Sequence, residues 1–458
     1  MAPSSHHVAL PGDFIAVLTL QNLLVLTAIF IVYHAVKALY SIYIYPFYTS
    51  PLRHLPTPTE NHHWILGQAK NLFSKPWIPY FYRDFSSRYP DSPFIRILKV
   101  ANAEVLVPNT ISAYREILQT KSECFVKPSE SRTGAIIVIG EGLPWSHGNI
   151  HRLRRTALNK LFSPQRMKAC EPRVRAKVEQ MATMLAAKRM TPGDPVDIES
   201  EIWKATLDIA GIKTMGTDLN HLGSGDSPLY DIFTTTMRPT VRGHVTRLMV
   251  AYMPFRSWLP MEALSEFASK CAAARDFILG HVRERRSAWE RSKSRPGEHD
   301  AALLQAMVEN DGLWNDGEVV EHVLNFMILV QWIPRESTCD LMIDGVAIPK
   351  GTRFNLVPAM VNLKPEIWGP DAAVFDPDRW NPDRLTGDAG GAYSFATFHN
   401  GPRVCIGKAL TYMEMKLMIV ELVSKYRLAT THVGELEMES PSFTLKPKDR
   451  VKLQMTEI

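Results

Sequence analysis

A single cysteine near the C-terminal end stands in a segment whose residue types suit metal chemistry. Residues 398–407 read FHNGPRVCIG and contain Cys405. Gly401 and Gly407 let the backbone run close to a bulky group, because glycine has no Cβ and reaches positive φ freely. A thiolate sulfur is a metal ligand. The segment therefore predicts a cysteine that holds a metal on a large, flat cofactor.

The residues after Cys405 show the apolar pattern of an amphipathic helix. Ile406, Leu410, Met413 and Leu417 recur at helical spacing. The sulfur would then lie at a helix N-terminus, where exposed N–H groups and the helix dipole favour thiolate over thiol. A buried structural cysteine beside two turn glycines is the alternative, since this is the usual position of a free cysteine.

The pattern FxxGxRxCxG resembles the haem-binding loop of the cytochrome P450 family. The resemblance implies haem b as the cofactor, with Cys405 as the axial ligand of its iron. It also implies that Phe398 packs beside the thiolate and that Arg403 binds a haem propionate. Gly401 and Gly407 occupy the positions where the family's loop approaches the porphyrin.

The same resemblance implies three more cofactor-binding residues. The segment HRLRRTALNKLF, residues 151–162, predicts a helix, and His151 and Arg155 match the family's WxxxR pair with His in place of Trp. Both His and Trp donate an N–H, so the substitution is chemically mild. Arg335 matches a further propionate-binding arginine. A solvated basic helix face is an equally good explanation of each arginine in residues 151–162 taken singly.

Composition limits the other classes of function. The chain has 458 residues, a net charge of +5 and 22% charged residues, with the basic residues scattered rather than gathered in a patch. Nucleic acid is therefore an unexpected partner. Five cysteines lie far apart without a CxxC pair. Their odd number and wide spacing argue for a reducing compartment and against a zinc site.

An apolar run near the N-terminus predicts a membrane anchor. Residues 14–33 are long enough to span a bilayer, and no Lys or Arg precedes Lys37, so a cleaved signal peptide is disfavoured. A buried core helix is the alternative. The resulting organisation is an anchor at 1–45, a proline-rich linker at 46–58 and a haem domain at 59–458. The resemblance to microsomal members implies a single-pass endoplasmic reticulum protein with a cytosolic catalytic domain.

Long helical patterns and short hairpins predict a mainly α fold with small β-sheets. Residues 94–107 contain two apolar runs typical of a hairpin, and Asp344-Gly345 is a favourable two-residue hairpin turn. The resemblance implies the cytochrome P450 fold.

The chain departs from the family in one region. A helix predicted to begin at Asp316 runs to Leu329 and stops before Pro334. Typical members carry an acid-threonine pair there, followed by an ExxR helix. This chain has no Asp-Thr or Glu-Thr dipeptide, and no glutamate is followed by arginine three residues later. The resemblance therefore implies an incomplete fold that lacks an internal segment, with the join near residues 329–332.

Without the ExxR residues, Arg379 is expected to destabilise the fold. It lies in the motif FDPDRW, which matches the loop whose arginine normally pairs with the ExxR residues. Without those partners, we expect a buried guanidinium with no carboxylate, a condition that costs about 3–5 kcal/mol.

The resemblance implies a monooxygenase that inserts one atom of O2 into a lipophilic small molecule. Electrons would come from NADPH through NADPH-cytochrome P450 reductase. Similar membrane-bound fungal enzymes often act in secondary metabolism. Two alternatives stay open: a haem-thiolate isomerase or dehydratase that needs no reductase, and a non-functional product that binds no haem.

Overall fold

Helices form most of the chain in the computed structural model. It describes residues 20–69, 71, 78–129, 140–188, 194–223, 227–237, 240, 242–243, 246, 249, 261–292, 302–310, 312–327, 333–385, 387–434, 436–439 and 446–458. The helices are α1 (Leu20–Leu39), α2 (Ile78–Arg88), α3 (Ile111–Arg115), α4 (Gly148–Asn159), α5 (Pro164–Ala187), α6 (Ile198–Met215), α7 (Pro228–Met237), α8 (Glu262–Ser292), α9 (Leu303–Glu309), α10 (Asp316–Met327), α11 (Pro358–Asn362), α12 (Pro365–Trp368) and α13 (Lys408–Lys425).

The strands are short and form small sheets. They are β1 (Phe94–Leu98), β2 (Glu104–Pro108), β3 (Phe125–Val126), β4 (Pro195–Asp197), β5 (Ile333–Ser337), β6 (Leu341–Ile343), β7 (Val346–Ile348), β8 (Arg353–Leu356), β9 (Tyr426–Thr430), β10 (Met438–Glu439), β11 (Lys446–Pro447) and β12 (Lys452–Glu457). One sheet has the order β1-β2-β8-β5-β3, and another has the order β4-β12-β9. The prediction of a mainly α fold with small sheets is confirmed.

Two compact units divide the chain. The first comprises residues 1–71 and 96–105, and the second comprises 72–95 and 106–458. The boundaries predicted at 45 and 58 stay predictions.

In the first unit, the N-terminal helix continues beyond its predicted end. Residues 22–49 form one helix long enough and apolar enough to cross a membrane. Residues 14–19 of the predicted anchor lie outside the described residues. The predicted linker begins at Pro46, but a π-helical stretch runs from Tyr40 to Thr49 through this proline. In a π-helix, proline removes a hydrogen bond to the carbonyl five residues earlier. The Asn102 side-chain amide donates to a neighbouring carbonyl of this stretch, that of Ile42, at 2.9 Å.

Replacing Asn102 tests how the π-helical end is held. Asn102 is buried, has a φ of 53° and also donates to the Trp64 carbonyl. We expect Asn102→Gly to speed amide hydrogen exchange at Ser50 about fivefold, because a lost hydrogen bond is worth about 1 kcal/mol and glycine tolerates this φ. Asn102→Leu should have a larger effect, since it adds left-handed strain. Equal exchange rates in both variants and the parent chain would contradict the claim that the Asn102 side chain holds the π-helical end.

In the second unit, two clusters of buried apolar side chains join helices among the described residues. One joins α8, α9 and α10, and its members include Ile278, Leu304 and Val323. The other joins α5, α6 and α13, through residues such as Val178 and Met418. The second cluster packs one face of α13 and so fixes the helix that follows Cys405.

The predicted local elements appear where the patterns placed them. Strands β1 and β2 occupy the two apolar runs at residues 94–107. Strands β6 and β7 pair around Asp344 and Gly345, which have φ values of 45° and 78°. Helix α10 begins at Asp316 as predicted and is described as far as Met327. The join at 329–332 lies outside the described part of the chain.

His322 of α10 is fully buried and gives the fold an acid sensitivity. Its Nδ1 lies 2.6 Å from the Glu318 carbonyl, and burial lowers its pKa to about 4. The unfolded chain therefore binds a proton near pH 6.5, which the folded chain takes up only near pH 4. The stability that the neutral ring contributes is complete above pH 6.5 and falls as the pH drops toward 4.

We expect His322→Phe to remove this part of the acid sensitivity. Between pH 7 and pH 5, the parent chain should lose about 2 kcal/mol more unfolding free energy than the variant. Urea unfolding at both pH values measures the difference. An equal loss in both chains would show that the ring does not titrate as its burial requires.

Candidate functional site

The segment around Cys405 forms a tight loop that glycine makes possible. Gly401 has a φ of 70°, and a Cβ there would lie 2.2 Å from the Leu118 carbonyl oxygen. The Cys405 N–H donates to the Phe398 carbonyl at 2.8 Å, which closes the loop. The Phe398 ring contacts the Tyr412 ring at 5.1 Å between centroids. The loop therefore presents Cys405 directly before the first turn of α13.

The expectation that this position favours the thiolate is wrong for the ligand-free chain. Burial raises the pKa of the Cys405 thiol above its usual value. Backbone N–H groups of Gly407 and Lys408, together with the Arg155 guanidinium, lower that pKa but do not overcome the burial. The helix terminus thus acts in the predicted direction, and desolvation outweighs it. A metal ion at the sulfur would supply the missing stabilisation of the thiolate.

Three cations gather in the wall of one small cavity near the loop. Lys127, Arg335 and Arg403 line it together with His147. Lys127 donates to the Pro144 carbonyl, Arg335 donates to the Pro334 carbonyl at 3.0 Å, and Arg403 donates to the Ser146 carbonyl at 2.8 Å. Neutral carbonyls are therefore the acceptors identified for these three groups.

Burial and mutual repulsion make these cations unfavourable in the ligand-free chain. Burial, with the nearby Arg403 charge, lowers the pKa of Arg335 to about 9. Burial, with the charge of Arg155, lowers the pKa of Arg403 to about 10. The pKa of Lys127 is also lowered, by burial and then by Arg335 and Arg403. Within the described ranges, no ion pair joins any of the three to a carboxylate. The cluster therefore suits a ligand that brings negative charge.

Two neutral histidines complete the surroundings of the cluster. Burial, followed by the charge of Arg403, lowers the pKa of His151 to about 3. Burial, followed by the charge of Arg335, lowers the pKa of His399 to about 3. Arg155 follows His151 by one helical turn in α4, and its Nε donates to Asn159 at 2.9 Å. At neutral pH both imidazoles can donate an N–H without adding positive charge.

The donor set fits a planar metal cofactor with two carboxylates. A partly buried sulfur at a helix N-terminus can bind a metal, and the buried cations can bind anionic groups. The residues predicted from the sequence, Arg335, Arg403 and Cys405, belong to this one region of the second unit. Lys127 and His399 were missed by the sequence analysis.

Arg379 differs from its predicted state. It was expected to be a buried guanidinium without a carboxylate, but it pairs with Asp371 at 3.1 Å. It also donates to the carbonyls of Trp368, at 2.6 Å, and Asp371, at 2.9 Å. This ion pair lowers the pKa of the Asp371 carboxyl. A neighbouring loop carboxylate thus compensates the charge, because Asp371 lies only eight residues away along the chain.

Comparison with known proteins identifies the family. A family model described as Cytochrome P450 matches residues 56–329 and 328–455. The chain belongs to the cytochrome P450 family. Its members are oxidoreductases, and the family implies a haem iron held by a thiolate. Cytochrome P450 chemistry and the donor set described above thus require the same kind of cofactor.

Individual cytochromes P450 resemble the chain over most of its length. Cytochrome P450 monooxygenase sphH of Aspergillus fumigatus is 25% identical over 505 aligned positions, which include 92% of this chain and 91% of the relative. Cytochrome P450 monooxygenase ptmK of Penicillium ochrochloron is 21% identical, with 93% of this chain and 97% of the relative included. The crystal structure of the cytochrome P450DA heme domain gives a TM-score of 0.71 at 15% identity and covers 88% of this chain and 98% of that chain. The cytochrome P450 fold is confirmed.

The alignments also show that this cytochrome P450 is shorter than its relatives in the aligned region. The alignment to sphH has 505 positions, and this chain occupies about 421 of them, which is 92% of its 458 residues. The relative therefore has residues at about 80 positions where this chain has none. The two segments that match the family model meet at residues 328–329. That meeting point falls at the join predicted from the sequence.

Proposed function

We propose that the chain is a haem-thiolate monooxygenase in which Cys405 is the axial ligand of haem b. The observation that carries this proposal is the group of three cations without carboxylate partners among the described residues, in the same region as Cys405, with Arg335 buried and Lys127 and Arg403 half-buried. Bound haem supplies iron that activates O2 for insertion of one oxygen atom into an organic substrate. The protein's part is to hold, orient and electrically balance that group.

The cations and the neutral histidine have separate tasks in this proposal. Lys127, Arg335 and Arg403 would donate to the haem propionates, whose negative charge would remove the repulsion that each cation meets in the ligand-free chain. His151 donates a ring N–H while staying uncharged, because its pKa is lowered to about 3. Arg155 lies near enough to Cys405 to lower the pKa of its thiol. It thereby favours the ionised sulfur and also serves as a propionate partner.

The Cys405 proton must leave when the sulfur binds metal. Burial raises the pKa of the thiol, so the proton is held in the ligand-free chain at neutral pH. The thiolate is the form that ligates metals, and metal binding releases that proton. In this proposal Phe398 packs beside the thiolate, and Gly407, where a Cβ would lie 3.8 Å from the Cys405 sulfur, keeps the space beside that sulfur open.

The proposed setting is the cytosolic face of the endoplasmic reticulum. The apolar N-terminal helix, long enough to cross a membrane, supports membrane attachment. A reductase would deliver electrons from NADPH, and a lipophilic small molecule would be the substrate. The relatives sphH and ptmK are named as monooxygenases from filamentous fungi. They support a role in fungal secondary metabolism.

We also infer that about 80 residues found in relatives are absent from the region of the join. The split match to the family model at 328–329 supports this inference. The acid-threonine pair and the ExxR motif are both missing from the sequence. The missing acid-threonine pair fits the isomerase or dehydratase alternative, because rearrangement of an oxidised substrate needs no O2 activation. That alternative would still need the ExxR motif.

The proposal is tested by measuring electron flow through the purified chain. We expect NADPH oxidation that requires added cytochrome P450 reductase, is inhibited by carbon monoxide and disappears in Cys405→Ser. Bound haem without any reductase-dependent NADPH oxidation would overturn the monooxygenase assignment and favour the isomerase or dehydratase. A chain that takes up no haem when haem is supplied during expression would overturn both enzymatic assignments.

A further inference from the structure

Two cysteines lie at the same end of the β3–β5 strand pair. Cys124 directly precedes β3, and Cys339 follows β5 by two residues. Phe125 pairs with Ser337 in the antiparallel register. Thr338 holds the strand ends together, because its backbone N–H and its hydroxyl donate to the Cys124 carbonyl at 2.9 and 3.1 Å. The hydrogen bonds of Thr338 therefore bring the two cysteines close together.

The two thiols contact each other and are accessible. A hydrogen bond with Cys339 is the first cause that raises the pKa of Cys124, and burial is the second. Cys339 is exposed, Cys124 is half-buried, and both are free thiols. The register places Cys124 opposite Thr338, the residue directly before Cys339, so the two cysteines are diagonal neighbours at the strand ends. Closure of a bond at this point would therefore require little movement of the backbone.

We propose that Cys124 and Cys339 form a reversible intramolecular disulfide by exchange with a low-molecular-weight disulfide such as oxidised glutathione. The exposed Cys339 loses its proton and attacks one glutathione sulfur, which breaks that S–S bond and releases one glutathione thiol. Cys124 then loses its proton and attacks the Cys339 sulfur, releasing the second thiol. Two protein thiols are oxidised to one S–S bond, and one glutathione disulfide is reduced to two thiols that take up the two protons.

The position of this bond connects it to the cation cluster. Cys124 lies three residues before Lys127, and Cys339 lies four residues after Arg335. The disulfide would therefore clamp the ends of the two strands that carry these cations. Cys170 and Cys271 are buried in helices and offer no comparable access. The site is thus specific to one pair among the five cysteines.

The test is a titration of the full chain in glutathione buffers of increasing oxidised fraction, followed by mass spectrometry. We expect a species lighter by two hydrogens, a cross-linked peptide that contains Cys124 and Cys339, and complete reversal by dithiothreitol. Amide exchange at Phe125 and Ser337 should slow at least about threefold in this species, because the cross-link opposes local opening. Each readout is a mass, so the result is independent of haem binding and of the proposed activity.

Single variants separate this pair from general oxidation. Cys124→Ser should leave a stable glutathione adduct on Cys339, because the second thiol is missing. The control Cys170→Ser should form the cross-link as the parent chain does. A persistent glutathione adduct on the parent chain, a disulfide-linked dimer through Cys339, or no change in mass would each overturn the proposal.

Discussion

Cys405→Ser is expected to lower haem affinity at least about 100-fold, which corresponds to about 2.7 kcal/mol. Serine keeps the size of the side chain, but its hydroxyl does not supply the thiolate that metal ligation needs. The buried cations would still attract the propionates, so weak binding should persist without the thiolate spectrum. Haem content after gel filtration, together with the absorption spectrum, measures both effects.

Cys271→Ser is the matched control for this substitution. Cys271 is a buried free thiol in α8, within the helical core and outside the cation cluster. Its replacement should leave the haem content and the spectrum unchanged. An unchanged thiolate spectrum in Cys405→Ser would exclude this sulfur as the ligand.

Arg335→Met is expected to have opposite effects on the two states of the protein. Arg335 is buried with a lowered pKa, so its charge opposes folding when no anion is bound. Replacing buried charges by apolar groups of similar size is often neutral or stabilises a protein by about 1–4 kcal/mol. We therefore expect a higher unfolding free energy for the haem-free variant. Haem release should become faster, roughly tenfold or more, because a charge-assisted hydrogen bond to a propionate is lost.

Arg379→Met supplies the contrast, because this arginine is already neutralised. It is paired with Asp371 and donates to the backbone carbonyls of Trp368, Asp371 and Val374. Its removal should lower the unfolding free energy of the haem-free chain, since those carbonyls lose their donor. Urea unfolding of both haem-free variants makes the comparison. If Arg335→Met destabilised the haem-free chain, this result would contradict the claim that the Arg335 charge has no compensating anion there.

The sequence predicted features that depend on neighbouring residues along the chain. The turn at Asp344-Gly345 follows from two residues that tolerate positive φ. The close passage of Gly401 follows from the absence of a side chain, and the helix after Cys405 follows from apolar spacing. These features need no knowledge of distant contacts, so local pattern is sufficient.

Features that depend on distant residues could not be predicted in the same way. Lys127 lines a cavity with Arg335 and Arg403, which lie more than 200 residues later in the chain. No local pattern around Lys127 marks it as part of a site. The raised pKa of Cys405 was missed for a related reason. Desolvation depends on everything that packs around a group, whereas a helix terminus is visible from sequence spacing.

The compensations at Asp371 and Asn102 were missed because they are specific to this chain. Asp371 pairs with Arg379 in place of the expected partners, and Asn102 donates to the Ile42 carbonyl in the π-helical stretch that contains Pro46. The signals were present in the sequence as an aspartate eight residues before an arginine and an asparagine between two strands. Neither sequence feature identifies a contact unless the three-dimensional structure is known.

The carbon monoxide difference spectrum of the dithionite-reduced, haem-loaded parent chain tests the central claim most directly. Iron ligated by the Cys405 sulfur should give the absorption band characteristic of a haem with an axial thiolate. A band characteristic of histidine-ligated haem, or a chain that retains no haem at all, would contradict the account.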